Sequence, residues 1–310
     1  MAGNDGKKGG NGLNINAGGK TAISSAAVSA LKADRTGTSL IGRVLLHALL
    51  IAGAAVMIGP FLWMVLSSLK PFSQVFLIPP KWIPDPWEWS NYKRSWEALP
   101  FGRAYANSFY IALVSVTMKL ITCSMAAYAF AKIRFPLREP LFILFLATMM
   151  VPHQVTIIPL YLMMKEFGWL DTHLALIVPA SLLDAFGVFL LRQFIKSIPD
   201  ELEEASIMDG ANRWTIYSRI ILPLIRPALA ALAIFAFLGM WNSFFGPLIF
   251  LNSPDRFTVP LLLNLFRGMY ITDWTLMMAG SAIAVIPVLI VYMLGQRYII
   301  EGVTLTGIKG

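Results

Sequence analysis

The sequence predicts an all-α, polytopic membrane protein with six transmembrane helices, and three observations carry that prediction. Of its 310 residues, 57% are hydrophobic and only 14% are charged. With a mean hydropathy of +0.66, the chain has more apolar surface than one aqueous core can hide. Apolar runs of about 20 residues, the length that crosses a ~30 Å hydrocarbon layer, recur six times along it.

In order, the runs cover about residues 44–66, 105–131, 141–163, 174–195, 227–250 and 276–298. The first begins late and is long enough to span, so it is expected to stay as an anchor rather than be cleaved as a signal. Pro152, Pro159, Pro179 and Pro247 mark places in the third, fourth and fifth where helices are expected to kink. Lysine and arginine set the orientation. With the N-terminus inside, sixteen fall on the inner side and eight on the outer. In the short loops, Lys132, Arg134 and Arg138 lie inside against Lys165 alone outside. Both termini and the loop between spans four and five are therefore expected in the cytoplasm. The formal charge of +8 reads as orientation rather than affinity for nucleic acid, for which no module pattern is present. The lone Cys123 allows no internal disulfide.

Residues 1–39 are rich in Gly, Asn, Ser and Ala without a sustained apolar period, and are expected to form a flexible cytoplasmic tail ahead of a transmembrane domain over 40–310. Within the tail, Asn14-Ile-Asn-Ala-Gly-Gly-Lys-Thr21 approaches a phosphate-binding loop. Asn14 stands where the first glycine is required and no strand precedes it, so the chain is expected to hydrolyse no nucleotide. The loop over 70–103 combines six prolines with Trp82, Trp87, Trp89 and Trp96. It is expected to lie on the outer membrane surface as short helices and turns, as an aromatic belt or as a contact for an extracytoplasmic protein.

The polar stretch over 197–223 is the most specific. Acids at Asp200, Glu201, Glu203 and Glu204 suit the first turn of a helix, Asp200 and Glu203 have capping-box spacing, and Gly210 suits the left-handed stop. Asn212 is placed to cap a second short helix that should end before Pro223. The expected product is a helix, a sharp turn and a helix, with Leu202, Ala205, Ser206 and Asp209 sharing one face that another backbone can approach. On spacing alone it reads first as an ordinary helical connector between spans four and five.

Glu204-Ala205-Ser206, then Gly210, then Ile220, Leu222 and Pro223 reproduce every spacing of the EAA motif and so resemble the permeases of ABC importers, with Ser206 where alanine is usual. Asn107-Ser108, the run over 126–136, Val151-Pro-His-Gln154, Ile158-Pro-Leu-Tyr161, Trp241-Asn242 and the ending over 301–310 resemble its carbohydrate branch, the relatives of the maltose-transporter permease MalG. The resemblance covers about 44–310, with a permease core near 104–300. It implies type I importer architecture with cytoplasmic coupling helices between spans four and five. It also implies a second, different permease, two ATP-binding subunits that hold ATP and Mg, and an extracytoplasmic solute-binding protein delivering a sugar or small oligosaccharide. Glycerol phosphate or an amino sugar are alternatives. An ion-driven secondary transporter would need inverted repeats and ion-binding carboxylates, for which only Asp184 is available.

By that resemblance, Glu204, Ala205, Ser206, Asp209, Gly210, Ile220, Leu222 and Pro223 couple the chain to the ATPases. Trp241, Asn242, His153 and Gln154 are candidates for the solute path, since amides bond hydroxyls and aromatic faces pack on sugar rings; amides also join membrane helices. The intramembrane charges Lys119 and Asp184 are expected to pair with each other or with polar groups of the second permease. His47, His153 and His173 are far apart and only one cysteine is present, so neither a metal site nor a catalytic residue is expected.

Overall fold

The computed structural model describes residues 40–182, 184–267 and 272–307, the last nine of these by backbone only. The expected tail over 1–39, with its near phosphate-binding loop, and residues 308–310 of the ending lie outside the described residues. The described residues form α1 (Leu40–Ser68), α2 (Ser90–Ala98), α3 (Phe101–Lys132), α4 (Arg138–Ala147), α5 (His153–Glu166), α6 (Leu174–Ser181) and α7 (Ala185–Lys196). They continue as α8 (Asp200–Met208), α9 (Arg213–Ile216), a π turn (Tyr217–Ile221), α10 (Leu222–Leu224), α11 (Arg226–Trp241), α12 (Phe245–Phe250), α13 (Val259–Leu263) and α14 (Trp274–Gly307). By contacts the chain divides into two units, Met1–Gly59 and Pro60–Gly310.

Among the described residues four helical stretches are long and apolar enough to cross a membrane: Leu40–Ser68, Phe101–Lys132, Leu174–Lys196 and Trp274–Tyr298. Two bent pairs raise the number to six if each is one span: Arg138–Met150 with His153–Glu166 at 98°, and Arg213–Leu224 with Arg226–Trp241 at 76°. Three of the expected continuous spans are thus interrupted. The third turns at Val151-Pro152, where proline withdraws a donor and forces its predecessor out of helical geometry. The fourth, one span over Leu174–Lys196, leaves helical geometry at Leu182 and Asp184, both extended, soon after Pro179. The fifth stops at Trp241 instead of running to residue 250, and resumes at Phe245 as the short α12 that contains Pro247.

α3 is the central strut of the second unit, packed by α7, α11 and α6, while α14 covers α11 and α2. Small side chains at the seam, Ala112, Ser115, Ser124 and Ala127, are buried and let helices approach closely. Gly187 of α7 serves the same close approach: a Cβ there would sit 2.9 Å from Cys123 Sγ and 3.1 Å from Asp184 Oδ2. One core gathers around Phe101, Ile111, Trp241 and Leu262, another around Ala127, Leu191, Ile195 and Leu232.

The loop over 69–100 is a short 3₁₀ turn at Phe72–Gln74 followed by α2, with Trp82 edge-on to Trp63 at 4.8 Å and Trp96 stacked on Phe101 at 5.7 Å. Lys70, counted by sequence among the outer cations, is buried. Its ammonium lies 3.9 Å from the centre of the Trp63 ring, and desolvation lowers its pKa. Asn107 donates to the carbonyls of Asp255 and Phe257 at 2.9 and 3.0 Å, and Ser108 Oγ accepts from Val259 N at 2.9 Å, which ties α3 to the segment ahead of α13. Asp171, held at φ 54, binds the same segment. Its carboxylate accepts from the Ser253 hydroxyl at 2.5 Å and from the Ser253 and Asn252 amides at 3.0 and 2.9 Å. Those bonds, the Ser253 hydroxyl foremost, bring its pKa down to about 2.

Candidate functional site

Two places concentrate polar chemistry. The first is the contiguous helix–turn–helix from Asp200 to Leu224. α8 spans Asp200–Met208, and its end is a Schellman closure: Gly210 sits at φ 81, its amide donates to Ile207 O at 2.9 Å, and the Ala211 amide donates to Ser206 O at 2.9 Å. Asn212 Oδ1 caps α9, accepting from the Thr215 amide at 2.8 Å and hydroxyl at 3.0 Å.

The expected capping box is absent. The residue ahead of α8 is Pro199, which offers no side-chain cap, and the two acids reach basic partners instead, because a full charge outcompetes a backbone amide. Asp200 pairs with Lys132 at the end of α3, and that hydrogen bond and charge lower its pKa. Glu203, buried, pairs with Arg213 across the turn and accepts from Tyr128 Oη at 3.5 Å. Tyr217 and Ser124 share a hydroxyl contact at 2.8 Å, so the motif is bolted to α3 at three points.

The second half does not end before Pro223 as expected. Pro223 cannot donate to the turn behind it, and the chain widens into a π turn in which the Leu222 amide reaches Tyr217 O. The helix then runs through Pro223 to Leu224, and the 76° bend follows at Ile225. Ile220, Leu222 and Pro223 are half-buried in this bend, whereas Glu204, Ala205, Asp209 and Gly210 are exposed and Ser206 is half-buried with its hydroxyl turned back onto Leu202 O at 2.6 Å. Met208 is 87% exposed, and Leu202, Ile207 and Trp214 of the same motif are exposed too. The motif thus exposes apolar and acidic side chains on a mount tied to α3.

The second place is a cavity of about 510 Å³ among α3, α5, α6 and α12. Lys119 Nζ is 3.0 Å from Asp184 Oδ2 and both line it, with His153 and Gln154 at the start of α5. Each charge alone would cost about 2.5–3.5 kcal/mol at a helix centre, and the pair offsets much of that. Trp241 and Asn242 lie elsewhere. The indole is 2% exposed, packed by Phe109, Phe237 and Tyr105, and donates to Ala284 O at 3.1 Å; Asn242 Nδ2 donates back to Leu238 O at 2.9 Å. Sequence reasoning missed Ser243 and Thr258, which also line the cavity, because neither belongs to a periodic pattern. It also missed the pairing of buried Arg192 with Glu139, at 2.6 and 2.8 Å. Among the described residues no group of His, Cys, Asp and Glu could hold a metal ion.

Comparison with known proteins assigns the class. Residues 119–304 match the family model described as "Binding-protein-dependent transport system inner membrane component", a range that takes in the helix–turn–helix and every lining residue of the cavity except Ile111. The chain belongs to that family: it is a multi-pass membrane transport subunit. It is similar to the diacetylchitobiose uptake system permease protein NgcG of Streptomyces coelicolor, at 32% identity over 83% of this chain and 86% of that one. It is similar also to the lactose transport system permease protein LacG of Rhizobium radiobacter, at 32% identity over 83% and 93%. Among solved structures, a bacterial ABC transporter involved in the import of the acidic polysaccharide alginate matches with a TM-score of 0.75 and 25% identity, over 83% of this chain and 96% of that chain.

Proposed function

We propose that the chain is the permease subunit of an ATP-driven importer for a sugar or small oligosaccharide, working by alternating access. The reading places both termini and the Asp200–Leu224 motif in the cytoplasm of a bacterium, across the plasma membrane from an extracytoplasmic solute-binding protein. The chain pairs with a second, different permease and docks on two ATP-binding subunits, which hold ATP and Mg; it binds neither itself. The names of its relatives, which transport diacetylchitobiose and lactose, support a carbohydrate cargo.

The observation that carries the mechanism is the bracing of the helix–turn–helix. Glu204, Ala205, Asp209 and Gly210 face outward, with Ser206 half-buried among them, on a mount fixed to α3 by Asp200–Lys132, to the second helix by Glu203–Arg213, and to the bend by Ile220, Leu222 and Pro223. A force applied at the exposed end by closure of the ATPases therefore moves α3 and α11 as rigid bodies instead of being absorbed in a loose loop. The test is reversal of charge at Glu204 and Asp209 together in the assembled complex. Uptake and binding-protein-stimulated ATP hydrolysis are expected to fall at least tenfold with the subunits still associated, and wild-type values for both would disprove the lever.

A further inference from the structure

Three helix interruptions meet at one cavity. The bend at 151–152, the break between Ser181 and Ala185, and the break at 242–244 each contribute lining residues: His153 and Gln154, Asp184, and Ser243. Non-helical backbone at membrane depth is stable only where it faces protein or a hydrated space, and broken helices in transporters commonly surround polar cargo. The volume of about 510 Å³ falls inside the ~300–1,000 Å³ range of small-molecule sites. One further group points to a ligand. Thr258 is 4% exposed, lines the cavity, and its Oγ1 has no hydrogen-bond partner among the described residues. Buried hydroxyls are rarely left so.

We propose that this cavity is a subsite for one uncharged sugar ring, with Lys119 and Asp184 together bonding neighbouring hydroxyls and Thr258 bonding another polar group of the ring. The inference rests on the importer reading and narrows its cargo. Lys119 and Asp184 already neutralise each other at 3.0 Å. A carboxylate or ammonium on the cargo would draw one of them away and strand the other in a low dielectric. A pair of vicinal hydroxyls accepts from the ammonium and donates to the carboxylate at once, and the balance is kept. The similar alginate importer is involved in the import of an acidic polysaccharide; among the described residues Lys119 is the only Lys or Arg that lines this cavity, and Asp184 already holds it.

The experiment measures binding of cellobiose, lactose, N,N′-diacetylchitobiose and an alginate disaccharide to the assembled complex by saturation-transfer NMR, without the binding protein. At least one neutral probe is expected to bind, the alginate disaccharide not. Thr258→Val should weaken that binding about tenfold and Thr258→Ser restore it, while the double variant Lys119→Met, Asp184→Asn should abolish it. Thr258→Val is nearly isosteric, so the comparison with Thr258→Ser stands even where the double variant does not assemble. Preference for the uronate, absence of neutral binding, or equal binding in Thr258→Val overturns the subsite. ATP hydrolysis by the wild-type complex, stimulated by its binding protein, is scored separately: its presence beside a negative binding result removes the subsite alone, and its absence removes the importer reading.

Discussion

The helix–turn–helix and the cavity are built on opposite plans. Every tie inside the first joins residues close in the chain, as Glu203 to Arg213 and Asn212 to Thr215, and its exposed face leaves the rest of the fold indifferent to what is put there. The cavity draws on residues from Ile111 to Thr258, several of them supplied by helix breaks that have no meaning singly. One is a mechanical part and the other a chemical one, so damage to them should read out differently. Substitutions in the motif should lower the maximal rate of uptake with little change in KM; substitutions in the cavity should do the reverse.

The largest effect that can break this comparison is at Gly210. Its φ of 81 is open to glycine and costly for a β-branched residue, and nothing lies within 4 Å of a Cβ built there, so the penalty is conformational and not steric. Gly210→Val should cut the maximal rate at least tenfold while KM stays within twofold. A KM that rises in step would merge the two regions into one. Next is Gly187, where the opposite holds: a Cβ meets Cys123 Sγ at 2.9 Å, Asp184 Oδ2 at 3.1 Å and Leu232 Cδ2 at 3.2 Å. Gly187→Ala should cost about 1–3 kcal/mol of stability by overpacking, seen as a lower Tm in detergent, and should raise KM because Asp184 is displaced.

The difference in plan also explains what the sequence made legible. The extent of α8, the glycine stop and the Asn212 cap are local, and the spacing of acids, glycine and asparagine specifies them. The capping box failed because Asp200 and Glu203 have basic partners at Lys132 and Arg213, and the first of these lies far off in the chain. Hydropathy marked the apolar runs, but it cannot see a bend: Pro152 was legible as a kink, the 98° turn it makes was not. Trp241 and Asn242 were singled out as a sugar-binding pair by type. Aromatic packing by Phe109, Phe237 and Tyr105 claims the first and the helix end claims the second. Thr258 carried no signal, since a lone threonine near a proline gains significance only from the empty space beside it.

Asp171 offers a smaller, pH-dependent test outside the motif. Its carboxyl titrates at about 2 against an unfolded value near 3.9, so the stabilisation is complete above about pH 4 and lost as pH falls through 2. After discounting for partial exposure, Asp171→Asn should cost roughly 1–2 kcal/mol at neutral pH. Asparagine keeps the tolerance for φ 54 and isolates the lost bonds to Ser253. The Tm gap between wild type and variant should be constant from pH 8 to 5 and should close below 4; a gap that closes near pH 6 would assign it to another group.

The smallest effect sharpens the comparison most, because it touches the motif without touching its docking face or its charge pairs. Asn212 Oδ1 accepts two bonds from Thr215 at the start of α9, and replacing such a cap with alanine costs about 1 kcal/mol. Asn212→Ala should lower the Tm of the assembled complex slightly and Asn212→Asp should restore it, since aspartate caps as well and complements the helix dipole. If the motif works as a rigid lever, loosening its second helix by that amount should also weaken coupling: ATP hydrolysed per solute imported should rise in Asn212→Ala and return in Asn212→Asp, with KM fixed in both. An unchanged ratio in the face of a measurable Tm loss would mean that the force passes through α8 and the Asp200–Lys132 tie alone, leaving the second helix as a connector.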